Sequence, residues 1–135
     1  MRRLGALPSL FTFSTLLTLL GCASPVAPDA NGQWGSQQAS LVISRDSGSL
    51  TLQCGSGIID NTWSLTGDGV FIGTGATFSG GGPSPIGGRP PRPSRFTGRI
   101  SGNTFTLSAT EIATGVTLGP FRMQRGGPGI SQLCL

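Results

Sequence analysis

The sequence has no histidine, no lysine and no tyrosine. Without histidine it lacks the commonest general base near neutral pH and the commonest metal ligand. Without lysine it has no Schiff-base amine and no P-loop cation. Charged residues make up only 10% of the chain, with five acids against nine arginines. A serine nucleophile would have no basic partner here. These absences point away from an enzyme, and no cofactor or metal is expected. Nucleic-acid binding wants Lys and Arg clustered on one face, a pattern not found here. What is abundant is glycine, with 23 residues, and proline, with 10. A length of 135 residues leaves room for one domain.

The first residues form a leader. Arg2 and Arg3 precede an uncharged stretch, Leu4 to Leu20, that ends in Leu19-Leu20-Gly21-Cys22. The apolar run is short for a membrane span, which needs about 20 residues. An apolar pair, a small residue and a cysteine resemble the lipobox of bacterial lipoproteins. That resemblance implies cleavage after Gly21 and lipidation of Cys22, so that 1–21 is a signal peptide and 22–31 a lipidated cysteine with its tether. The three acyl chains that the resemblance implies exceed the two signals usually needed for stable anchoring. Ala23 stands where the family's inner-membrane retention signal is Asp, which favours the outer membrane in a host with two. The tether carries Pro25 and Pro28, is stiff, and spans at most about 30 Å.

Residues 32–135 read as a single β domain. No window keeps a helical spacing of apolar residues, and a period of two recurs instead. Leu41 and Ile43 alternate, as do Leu50, Leu52 and Cys54, then Trp63 and Leu65, then Phe105, Leu107 and Ala109, then Val116 and Leu118. Turn signals separate these runs at 45–48, 66–69, 101–104 and 113–115. The pattern predicts strands at 33–37, 39–45, 48–54, 57–65, 69–78, 94–101, 103–112 and 116–125. Seven or eight antiparallel strands with short connections make a meander, which closes most easily into a small lipocalin-like barrel. A sandwich is the second possibility. Between 79 and 95 five prolines interrupt the ladder. That segment predicts a long loop with polyproline II character, carrying Arg89 and Arg92 on one edge.

Few residues offer chemistry. Cys54 and Cys134 remain once Cys22 is lipidated, and an even pair in an oxidising compartment reads as a disulfide. It would close a loop of about 80 residues and contribute roughly 4 kcal/mol on a chain-entropy model. Asp46 and Asp68 fall in turns. Asp60 and Glu111 fall on strands and are read as surface acids. Gly73-Thr74-Gly75 and Gly80-Gly81-Gly82 precede no helix, so they are read as bending and loop glycines rather than a phosphate cradle. Arg89, Arg92, Arg95 and Arg99 form the most distinctive polar feature, a candidate interaction loop for anions or an acidic partner. Gly32-Gln33-Trp34 resembles the G-x-W that opens many lipocalin-like barrels. The resemblance implies that Trp34 closes one barrel end beneath an arginine of the last strand, Arg122 or Arg125.

A wider resemblance covers nearly all of 32–135. Gly32-x-Trp34, Cys54-Gly-Ser-Gly57-Ile-Ile-Asp60, Asp68-Gly-Val-Phe71, a Gly/Pro-rich loop, Phe96-Thr-Gly98-Arg99, Leu118-Gly-Pro-Phe121-Arg-Met-Gln-Arg125 and Cys134-Leu135 follow one another as in a group of small exported bacterial β-proteins. That group has no assigned function and no catalytic residues, and its paired cysteines agree with the disulfide. The expectation is a non-enzymatic, lipid-anchored module of the cell envelope. It would act as a binding or interaction module with an envelope protein partner. The alternatives are a carrier of a small molecule or lipid inside the barrel, or an inhibitor of an envelope hydrolase. The first is distinguished by small side chains pointing inward, the others by an ordered, exposed loop.

Overall fold

A computed structural model describes Gly5, residues 27–80 and residues 86–130. The expected signal peptide, Cys22, Cys134 and the centre of the 79–95 segment lie outside the described residues. The strands are β1 (Gly32–Gly35), β2 (Ala39–Ile43), β3 (Gly48–Leu52), β4 (Gly55–Ile59), β5 (Ser64–Leu65), β6 (Val70–Ser79), β7 (Arg92–Ser101), β8 (Thr104–Glu111) and β9 (Thr117–Arg125). Each pairs antiparallel with its neighbour in a meander, and β1 pairs with β9 while β4 pairs with β6. Eight strands therefore close into a barrel, with β5 as a short addition along β6. Closure removes the free edges that an open sheet of this size would expose.

Two expected elements differ. The run 57–65 is not one strand. Asp60 accepts hydrogen bonds from the backbone N–H and hydroxyl of Thr62, and this tight turn separates β4 from β5. Both pieces still lie along β6, at Gly75–Ser79 and at Phe71–Ile72. The second difference is β7, which begins at Arg92 rather than 94. Pro93 sits opposite Ala76 as the second residue of the strand, where a missing N–H is tolerated, and its carbonyl accepts from Ile112 N–H at 3.0 Å.

Alternation decides what enters the barrel. Trp34, Leu41, Leu50, Ile59, Phe71, Phe96, Phe105, Leu107 and Met123 are fully buried and share the inward face. Such large side chains fit only because several inward positions are glycine. Phe105 packs over Gly98, where an added methyl would lie 2.9 Å from the Phe105 ring and collide with the carbonyl of Thr106. Gly75 serves strand approach, since a methyl there would run into the Ile58 carbonyl of β4. The pairing of large and absent side chains is how a narrow barrel reaches interior density. Gly73 and Gly75 thus sit within β6 and admit their neighbours, rather than bending a hairpin as expected. Gly98→Ala is expected to cost about 1–3 kcal/mol through overpacking, read as a lower urea midpoint at unchanged slope. An unchanged midpoint would contradict this packing.

Candidate functional site

The two ends of the barrel differ in chemistry. At one end, large aromatic rings fill the interior. Trp34 meets Phe105 edge-on at 5.2 Å, Phe105 meets Phe71 at 5.3 Å, and Phe71 stacks on Trp63 at 5.5 Å. Aromatic pairs at such spacings add to the burial of their area. Each indole satisfies its N–H on a carbonyl, Trp34 on Ala30 at 2.9 Å and Trp63 on Ser44 at 3.0 Å. The guanidinium of Arg125 lies 4.1 Å above the Trp34 ring, a cation–π contact. The same group donates to the carbonyls of Asn31 at 3.0 Å and Asp29 at 2.6 Å. Arg125 shares the inward face with Met123, whereas Arg122 points outward, exposed opposite Thr106. Of the two arginines expected over Trp34, the structure places Arg125 there. The alternation of β9 puts Arg122 on the other face.

This plug also holds part of the expected tether. Ala30 is fully buried, and the carbonyls of 29–31 are engaged by Arg125 and Trp34. The backbone and side chain of Asn31 donate to the Asp29 carboxylate and hold its pKa below the ordinary value. A free arm therefore cannot extend past residue 28.

The opposite end is open. A cavity of about 720 Å³ enters the barrel there, a size usual for small-molecule sites. Small inward residues, Gly55, Thr77 and Ala109, lie at its floor, and the buried Ala39 and Ser94 lie on β2 and β7 at the same barrel end. Ser94 donates to the Arg92 carbonyl at 2.8 Å, so the Thr77 hydroxyl is the donor in the 3.0 Å Thr77–Ser94 bond. Leu52, Leu118 and Phe121 supply apolar wall. A bulge in β9 shapes the mouth: Leu107 opposes Phe121 while Ala109 opposes Leu118, so β9 carries one extra residue. Gly119, with φ +95°, takes the conformation that this bulge requires. At the rim, Arg92 Nη1 stands 3.7 Å from Glu111 Oε2.

The four arginines expected as one loop surface separate. Arg89 lies in the connection before β7 and donates to the Ser79 carbonyl at 2.7 Å. Arg92 is on β7 and faces the cavity. Arg95 and Arg99 are also on β7, exposed on the outer face of the barrel opposite Thr74 and Val70. Strand alternation divides them, and the polyproline edge joining Arg89 to Arg92 is replaced by the start of β7. The acids are equally separate. Asp60 accepts from Thr62 and, at 2.7 Å, from Thr74; these bonds lower its pKa, so their stabilisation is present at neutral pH and fades as pH falls through the carboxylate range. Glu111, expected on the surface, lines the cavity instead because it keeps the inward parity of Phe105, Leu107 and Ala109.

A second depression of about 520 Å³ lies at the plugged end, between Ala27–Asp29 and the Gly67–Asp68 turn. It shares Asp29 and Arg125 with the plug. No family model matches the chain, and no curated protein or solved structure matches it. Arg125→Met is expected to cost about 1–2 kcal/mol in stability and to speed proteolysis of residues 27–31. Unaltered protection of that segment would show that Arg125 does not hold it.

Proposed function

We propose that this protein is a non-enzymatic binding module of the bacterial envelope that takes one small, largely apolar ligand in the open end of its barrel. One observation carries the reading. The aromatic plug fills one end only, and at the other a cavity of about 720 Å³ opens over the small buried residues Thr77 and Ala109, between apolar walls of Leu52, Leu118 and Phe121. The carrier reading is favoured over the interaction loop because the four arginines share no common surface.

The localisation belongs to the same proposal. Cleavage after Gly21 and lipidation of Cys22 anchor the chain to a membrane, the outer one in a host with two. Residues 29–31 dock on the plug, at the end opposite the cavity. The domain then stands on its plugged end with six tether residues after the lipid, about 20 Å when extended. Its mouth opens away from the anchoring bilayer, toward soluble partners or a facing membrane. A Cys54–Cys134 disulfide is part of the proposal. An even pair of cysteines in an oxidising compartment supports it. Native mass spectrometry of the exported protein tests the reading. Extra mass that leaves on gentle activation, on a chain lighter by the two hydrogens of one disulfide, is the expected result. A chain that never retains or takes up a small apolar molecule would overturn it.

A further inference from the structure

Among the described residues the rim of the cavity carries one ion pair, and its two members are buried to different degrees. The Arg92 side chain is 52% exposed, whereas that of Glu111 is 18% exposed. Glu111 is set in the wall by its own hairpin, where its N–H donates to the Val116 carbonyl and its carbonyl accepts from Gly115, both at 2.8 Å. The ion pair at 3.7 Å is longer than a hydrogen bond. Arg92 can therefore swing into water with little loss, since an exposed member of an ion pair gains little from it. The carboxylate cannot follow. It shares the cavity lining with Ala109, Val116 and Leu118, and its cross-strand partner is Ser94.

This asymmetry ranks ligands by charge. An anionic head that captured Arg92 would leave Glu111, only 18% exposed, without its ionic partner, which is the costly arrangement. A cationic head that captured Glu111 would leave only an exposed guanidinium unpaired. From this we infer that the cavity selects amphiphiles whose head carries a cationic nitrogen, alone or within a zwitterion, with the nitrogen against Glu111 and the apolar body along Leu52 and Phe121. The inference rests on the cavity being the binding site.

Calorimetric titration of the exported protein with dodecylamine, dodecanol and dodecanoate at neutral pH, the two ionic probes below their micelle concentrations and dodecanol below its solubility, separates the two claims. Dodecylamine is expected to bind about tenfold more tightly than dodecanoate, with dodecanol between them. Glu111→Gln keeps the side-chain volume and is expected to erase that order. Arg92→Gln is expected to leave amine binding as tight or tighter. Dodecanoate or dodecanol binding as tightly as the amine would overturn the head-group inference and leave the cavity reading standing. So would a Glu111→Gln protein that keeps the preference, or an Arg92→Gln protein, folded by circular dichroism, that loses amine binding. If none of the three binds, the cavity reading itself falls.

Discussion

The seam between β1 and β9 is the constraint on which the barrel depends. Only two residue pairs join these strands, Trp34 with Arg125 and Gly35 with Gln124, whereas β6 and β7 share eight. A seam that short needs help from side chains. It comes from the residues at its own register position, because Arg125 lies over the Trp34 ring and grips the chain just before β1 through two carbonyls. The backbone adds Gly126 N–H on the Gln33 carbonyl at 2.7 Å across the seam, while Arg125 N–H on the Asn103 carbonyl at 2.8 Å ties the end of β9 to the β7–β8 turn. One arginine thus couples the first strand, the last strand and the entering segment. Closure of the meander into a barrel follows from this contact as much as from the pattern of the strands.

Closing the seam at one end divides the interior. The rings from Trp34 through Phe105 and Phe71 to Trp63 occupy the plugged half, with Arg125 above them and the β4–β5 turn beside them. Most of the apolar burial lies in that half and in the Leu41, Leu50, Phe96 and Leu107 layer above it. The open half carries no aromatic plug, and its smaller residues, bulged β9 and rim ion pair shape a mouth instead. The division of labour is physical: one end holds the fold, and the other is free to hold something else.

Much of this was legible in the sequence, because a period of two with Gly-rich turns says both that strands form and which residues share a face. The barrel, its meander order and most strand limits follow from that reading. The same parity identifies Arg125 over Arg122, and places Glu111 with Ala109 and Leu107, although a lone acid near a turn reads first as a surface residue. Proline density at 83–93 obscured the start of β7, where Pro93 is harmless because its position needs no donor. The split of 57–65 was hidden for another reason. Thr74, fourteen residues away, bonds the Asp60 carboxylate and fixes the turn against β6. The docking of residues 29–31 had no sequence signature, since an arginine that donates to backbone carbonyls asks nothing of the side chains it holds.

The central claim is that one barrel end is sealed and the other receives a ligand, and the two tryptophans provide the reporters. Both indole N–H groups lie in the plugged half and are bonded to carbonyls. In a nitrogen–proton correlation spectrum of the exported protein titrated with dodecylamine, the amides of Ala109, Leu118 and Phe121 should shift in saturable fashion while both indole signals stay in place. Shifts centred on the indoles, or spread evenly over the barrel with no saturation, would contradict the account.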